Sequence, residues 1–219
     1  MYNIAIDGPS GVGKSTLAKA LAKRLGITYL DTGAMYRAMA WKALSLGIDP
    51  NDEERVKTFV DDVKIDVKYK DGVQQIFVDG TDVSLAIREH HMSKASSDIS
   101  RHNCVRTKLV AMQREIASKQ SVVLDGRDIT SVVLPHAEYK FFLTAKAEVR
   151  AERRAKELEA KGNVVDFAKI LKDIEERDYN DSHRANSPLT LTPDSVLVDS
   201  SNMTADEVLE YILSFIKED

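Results

Sequence analysis

Gly8-Pro9-Ser10-Gly11-Val12-Gly13-Lys14-Ser15 satisfies G-x-x-x-x-G-K-[ST] at every specified position. The chemistry open to such a run is phosphate binding. Its glycines let the backbone curl until successive N–H groups point at phosphate oxygens, and a following helix adds about half a positive charge at its N-terminus. Lys14 would reach the β and γ phosphates of ATP, Ser15 would hold Mg²⁺ through its hydroxyl, and Thr16 continues the same loop into the helix. A glycine-rich turn without a ligand needs neither Lys nor Ser at those two places. A second concentration of charge lies late in the chain: Arg150, Arg153 and Arg154 among acidic residues, then Arg177, Asp178, Asp181 and Arg184. In-line phosphoryl transfer asks for positioning and neutralisation of negative charge more than for a protein nucleophile, and arginines supply both.

The phosphate loop requires a strand before it and a helix after it, and both are legible. Asn3 to Asp7 is a short aliphatic run, and from about Lys14 the residues Leu17, Leu21 and Leu25 recur at helical spacing until Gly26. Four further runs read as buried strands: Ile27 to Leu30, Ser121 to Asp125, Tyr139 to Thr144 and Ser195 to Asp199. They alternate with helical patterns, the signature of a parallel sheet covered on both faces. A helix is expected from Ala34 to Leu46, and capping-box spacings at Asn51/Glu54 and Thr204/Glu207 start two more. One stretch breaks the rhythm: Val63, Ile65, Val67 and Tyr69 alternate with polar residues, Asp71-Gly72 is a type I′ turn signal, and Val73 to Val78 returns. That predicts a small antiparallel insert.

The chain's 219 residues suit one globular unit carrying an insert. With 31 basic and 35 acidic residues the formal charge is −4, so no basic footprint for nucleic acid is present and phosphate binding must be local. Cys104 is the only cysteine, which excludes an internal disulfide and a cysteine-cluster metal site. No run approaches the roughly 18 apolar residues of a membrane span, and the start lacks the features of a signal peptide. A soluble, cytoplasmic protein is expected.

A phosphate loop alone does not separate a kinase from a switch or a motor. No Asn-Lys-x-Asp segment follows the late strands, so guanine recognition is not indicated. The motifs Asp31-Thr-Gly-Ala-Met-Tyr-Arg37, Leu124-Asp-Gly-Arg-Asp-Ile129, Val133-Leu-Pro135 and Arg177-Asp178, followed by Asp181, Arg184 and Ser187-Pro-Leu189, resemble the bacterial cytidylate kinase family over essentially the whole chain. The resemblance implies an α/β fold with a five-stranded parallel sheet, a nucleoside monophosphate-binding insert at about 62–97, a helical lid at about 148–165, and a core of 1–61, 98–147 and 166–219. It implies transfer of the γ-phosphoryl group of ATP to CMP or dCMP with Mg²⁺, by a monomer that binds neither nucleic acid nor membrane. A P-loop kinase for another acceptor (UMP, AMP or a shikimate-like molecule) and a non-catalytic nucleotide-binding switch are the alternatives.

The same resemblance assigns residues. Lys14, Arg127, Arg177 and Arg154 would act on the transferred group, and Gly8 to Thr16 with Arg150 and Arg153 would bind ATP. Thr32, Tyr36, Arg37, Ser97, Arg106, Asp128, Asp181 and Arg184 would bind CMP. Ser97, Arg106 and Asp128 would read cytosine, whose amino donor and ring acceptors suit a carboxylate and an arginine. By pattern alone Arg37 could be a solvated helix face, Tyr36 core packing, Asp128 the partner of Arg127 in a structural ion pair, and Asp181 with Arg184 an intrahelical pair at i, i+3. Thr130-Ser131 departs from the family's usual Gly-Thr, which raises the question of a lost left-handed backbone position, and Lys146 stands where a small hydroxyl residue is common.

Overall fold

The computed structural model describes residues 1–89, 91–160 and 162–217. Lys161, at the end of the charged stretch, lies outside the described residues. The expected five-stranded parallel sheet is present, in the order β2-β6-β1-β7-β8, from Asn3–Asp7 (β1), Thr28–Asp31 (β2), Val122–Gly126 (β6), Tyr139–Thr144 (β7) and Val196–Asp199 (β8). A second, antiparallel sheet joins Ile65–Lys70 (β3), Val73–Val78 (β4) and Thr81–Asp82 (β5). Asp71 and Gly72 both have positive φ, as the type I′ signal between β3 and β4 demands. By packing the chain divides into two compact units, residues 1–27 with 121–219, and residues 28–120.

In the first unit β1 sits between β6 and β7, and Ile4, Ala5 and Ile6 are fully buried. That central place explains the uninterrupted aliphatic run, since a strand covered on both faces has no side to turn to water. Helix α1 (Lys14–Leu25) buries Leu17 and Leu21 and ends at Gly26, whose left-handed φ of 65° lets its N–H bond the Ala22 carbonyl. Helix α8 (Ala205–Leu213) packs on α1 and opens with the expected capping box of Thr204 and Glu207. Helices α6 (Ala147–Ala160) and α7 (Phe167–His183) pack against each other.

In the second unit α2 (Thr32–Ser45) packs on α4 (Met92–Ile99), α5 (Asn103–Ala117) and β4, while α3 (Glu53–Val60) packs on α5. The expected cap at Asn51 is displaced by one residue. Asp52 caps α3 by accepting from the Arg55 N–H at 3.1 Å, and Asn51 stands one residue outside the helix, donating its backbone N–H at 2.9 Å and its Nδ2 at 3.2 Å to the Asp49 carboxylate.

One buried carboxylate secures the loop after β6. Asp7, the last residue of β1 and 0% exposed, accepts from the Ile129 N–H at 2.9 Å, and from the Thr130 N–H and hydroxyl at 2.7 Å each. These donors begin a single π-helical turn, Ile129–Val133, which Asp128 precedes without capping it. Thr130 has no positive φ, so the departure from Gly-Thr costs no left-handed position, and its hydroxyl adds a bond to Asp7.

Burial pushes the Asp7 carboxyl up to about 6, against the three donors that pull it down. A folded-state value raised above the unfolded one means stability that is complete below about pH 4 and is lost as pH rises through about 6. The stability advantage of wild type over Asp7→Asn should therefore shrink by up to about 3 kcal/mol between pH 4 and pH 7. Urea unfolding of both proteins across that range checks it, and a constant difference would return Asp7 to an ordinary carboxyl.

Candidate active site

The phosphate loop lies in the first unit, between β1 and α1, and its shape depends on glycine at three places. Gly8, Gly11 and Gly13 have φ of 149°, 74° and 99°, a region that side chains with a Cβ avoid. Gly8 is the most constrained, since a Cβ there would stand 2.0 Å from the backbone oxygen of Leu143 on β7. Gly13 is the N-cap of α1 and supplies no side-chain cap, so the helix's first N–H groups are left to the loop and its ligand.

Lys14 is buried, 6% exposed. Its ammonium donates to the carbonyls of Gly8 and Pro9 at 2.7 Å each, folding the side chain back along its own loop. Burial, and then the positive charge of Arg127, push its pKa well below the ordinary lysine range, while Asp125, Asp181 and Asp7 pull the other way. Phosphate oxygens would supply the counter-charge that the loop carbonyls only approximate.

Ser15 donates its hydroxyl to Asp125 Oδ2 at 2.8 Å. Asp125 was not among the residues singled out from sequence, although a strand of Val-Val-Leu ending in Asp was the available signal. A hydroxyl and a carboxylate at that separation are oxygen donors of the kind Mg²⁺ takes. That ion keeps most of its waters and needs only one or two protein oxygens when phosphates supply the rest. Among the described residues no three or more His, Cys, Asp or Glu gather into a metal cage.

The remaining assigned residues of this unit form two charge groups. Arg127 donates from Nε to Asp181 Oδ2 at 2.7 Å and from Nη1 to the Gly126 carbonyl at 3.1 Å. Burial would raise the Asp181 carboxyl, but the charges of Arg127 and then Arg177 hold it below the usual range. Asp128, also buried, has Arg184 Nη2 at 3.8 Å from its Oδ1. Asp181 and Arg184 do not share a helical face as their i, i+3 spacing suggested. Arg184 is the C-cap of α7 with extended backbone, and it turns Nε to the Ser187 carbonyl at 2.7 Å.

The three arginines of α6 have separate partners. Arg150, 4% exposed, donates to the Ala145 and Ser10 carbonyls at 2.9 Å and pairs with Asp178 at 2.5 Å, tying α6 and α7 to the phosphate loop. Arg153 donates to the Ser200 carbonyl at 2.7 Å. Arg154 pairs with Glu157 at 2.8 Å at the surface.

In the second unit Thr32, Tyr36 and Arg37 all lie on α2, which packs on α4, the helix that carries Ser97, and on α5, the helix that carries Arg106. The Arg106 guanidinium lies 5.9 Å from the Tyr36 ring centroid, close enough for a cation–π contact. Tyr36 is thus both buried packing and a support for Arg106. Arg37 pairs with Asp31 at 3.0 Å and keeps about a quarter of its side chain exposed. Ser97 is half-buried, and its carbonyl accepts from the Ser100 hydroxyl at 2.8 Å. Among the described residues no helix is long and apolar enough to cross a membrane.

Residues 4–218 match the family described as cytidylate kinase. Curated relatives named cytidylate kinase include one from Caldanaerobacter subterraneus subsp. tengcongensis, 48% identical over 215 residues, covering 98% of this chain and 94% of the relative. One from Caldicellulosiruptor saccharolyticus is 47% identical over 211 residues, covering 96% and 93%. One from Lactobacillus johnsonii is 44% identical over 218 residues, covering 100% and 95%. A solved structure of an uncharacterized protein from Eubacterium ventriosum shares the fold, with a TM-score of 0.53 at 14% identity over all of both chains. A phosphate loop built on three left-handed glycines, with its lysine and its Ser–Asp pair in place, thus stands in a chain that matches one family nearly end to end: the protein belongs to the cytidylate kinase family.

Proposed function

We propose that the protein transfers the γ-phosphoryl group of ATP to CMP or dCMP, giving ADP and CDP or dCDP. The observation that carries this is the Gly8–Ser15 loop, with Lys14 folded on it and Ser15 joined to Asp125, in a chain of this family. An oxygen of the acceptor phosphate attacks the γ phosphorus as the bond to the β-bridging oxygen breaks, and the electron pair leaves with ADP. The protein's work is to hold donor and acceptor in line and to offset the charge spread over the equatorial oxygens. Lys14 serves the β and γ phosphates, and the loop N–H groups serve the remaining donor oxygens. Arg127, Arg177 and Arg154 act on the transferred group, while Arg150 and Arg153 support the ATP side. Ser15 and Asp125 would hold Mg²⁺, which when bound with ATP neutralises the β and γ oxygens.

For the acceptor, Arg37 binds the phosphate, and Thr32 and Tyr36 flank it. Ser97, Arg106 and Asp128 read the base, and Asp181 and Arg184 bind the sugar. Cytosine and uracil have nearly the same shape, so discrimination must come from hydrogen bonds. Facing uracil, the Asp128 carboxylate would meet an acceptor oxygen and the Arg106 guanidinium an N–H donor, each leaving a buried polar group unsatisfied. Both residues are buried, which makes such a mismatch expensive.

ADP release measured over a panel of CMP, dCMP, UMP, AMP and shikimate should show CMP and dCMP preferred over UMP by about 10²-fold or more in kcat/KM. A preference for another acceptor would refute the reading. Asp128→Asn should narrow the CMP to UMP ratio by lowering CMP turnover more, because its amide can donate to the uracil oxygen. An unchanged ratio would remove Asp128 from base recognition.

Lys14→Ala should lower kcat by about 10²- to 10³-fold, the cost of one well-placed donor to developing charge. Its ammonium holds only carbonyls of its own loop, so the melting temperature should move by no more than a few degrees. Near wild-type turnover in a folded variant would take Lys14 out of the phosphate site.

A further inference from the structure

Strand β4 buries Gln74, Ile76 and Val78 on one face and turns Val73, Gln75 and Phe77 to the other. Two of the three buried residues are aliphatic and the third is a primary amide, 8% exposed. A buried amide needs partners for both its donor and its acceptor. Gln74 finds both on the backbone of one residue. The Asp31 N–H donates to Gln74 Oε1 at 2.7 Å, and Gln74 Nε2 donates to the Asp31 carbonyl at 3.2 Å. The side chain thereby copies the paired bonds that a neighbouring strand would make.

Asp31 is the last residue of β2 and the N-cap of α2. Its carboxylate is divided: Oδ1 accepts from the Ala34 N–H at 2.8 Å, and Oδ2 accepts from Arg37 Nη2 at 3.0 Å. Backbone and side chain of Asp31 are therefore fixed from opposite directions, by the insert on one side and by α2 with Arg37 on the other. Gly33 bears independently on the same contact. A Cβ there would stand 3.1 Å from Arg37 Nη1 and 3.3 Å from Asp31 Oδ1, so the ion pair occupies the space over the turn that a side chain would take.

We propose that Gln74 is a positioning residue for acceptor binding: through Asp31 it sets the place of the Arg37 guanidinium, which makes the antiparallel insert part of the acceptor-phosphate site. This rests on the reading that Arg37 binds the phosphate of CMP. Carboxylate pairing already holds the arginine extended over the turn with part of its surface free, so an arriving phosphate meets a placed cation. Leucine at position 74 would keep the volume and the apolar face but leave the Asp31 N–H and carbonyl without their partner, and Asp31 would be free to shift.

The test is a double-variant cycle in steady-state kinetics, with CMP varied at saturating ATP and ATP varied at saturating CMP. Gln74→Leu should raise the KM for CMP about tenfold and leave the KM for ATP within about twofold. In an Arg37→Ala background the same change should alter the KM for CMP by less than about twofold, because the residue through which it acts is gone. Multiplying effects in the double variant, or equal rises in both KM values, would overturn the proposal. Should Gln74→Leu not fold, Gly33→Ala disturbs the same ion pair from the turn that follows Asp31. It should reproduce the selective rise in KM for CMP, and an unchanged value would overturn the proposal equally. Wild-type protein that releases no ADP with CMP would instead defeat the reading of function itself, a result the variants cannot mimic.

Discussion

Most of the cations proposed here for phosphate are withdrawn from water, and a buried charge costs several kcal/mol unless dipoles or an opposite charge replace its hydration. Each has been given a substitute. Lys14 has two carbonyls of its own loop, Arg127 has Asp181, Arg150 has Asp178 and two carbonyls, and Arg37 has Asp31. The acidic residues that leave the chain at −4 are thus in part the internal counter-charge of these cations. On the proposed function, phosphate would not meet bare cations. It would compete with groups that already hold them, so the gain on binding would be a difference between two paired states.

That arrangement explains why carboxylates recur at the ends of strands and helices. Asp7 ends β1, Asp31 ends β2 and Asp125 is the last residue but one of β6. Each does different work. Asp7 fixes the backbone that follows Asp128, Asp31 caps α2 and holds Arg37, and Asp125 accepts from the loop serine. Arg150 shows the complementary role of a cation used as a brace. Each of its three guanidinium nitrogens donates to a protein partner, which joins α6, α7 and the phosphate loop, while Arg154 at the surface pairs with Glu157.

The backbone constraint on the loop is stricter than its sequence pattern suggests. A motif written with variable positions hides the fact that Gly8 cannot carry a side chain, because the Leu143 oxygen stands where its Cβ would be. The phosphate loop is consequently packed against β7, and its curl is determined by that strand as much as by its own glycines.

Much of this was decided by local chemistry and was therefore legible in the chain itself. Five aliphatic runs gave the parallel strands, Gly26 ended α1, Thr204 with Glu207 started α8, and Asp71-Gly72 turned the hairpin, since each depends on residues within a few positions of one another. The phosphate loop was legible for the same reason. What the sequence could not decide depends on residues far apart along the chain. The spacing of Asp181 and Arg184 implied a shared face, but the helix ends between them and Asp181 turns to Arg127, 54 positions away. Lys14 reads as an exposed charge by type, and only the folded loop reveals its burial. Asp125 stands inside the Leu124–Ile129 motif without a role assigned to it, and Gln74 stands in no motif at all. The first owes its place to an adjacent strand and the second to a hairpin that meets Asp31 across 43 residues, and no local rule of periodicity, capping or turn chemistry reaches that far.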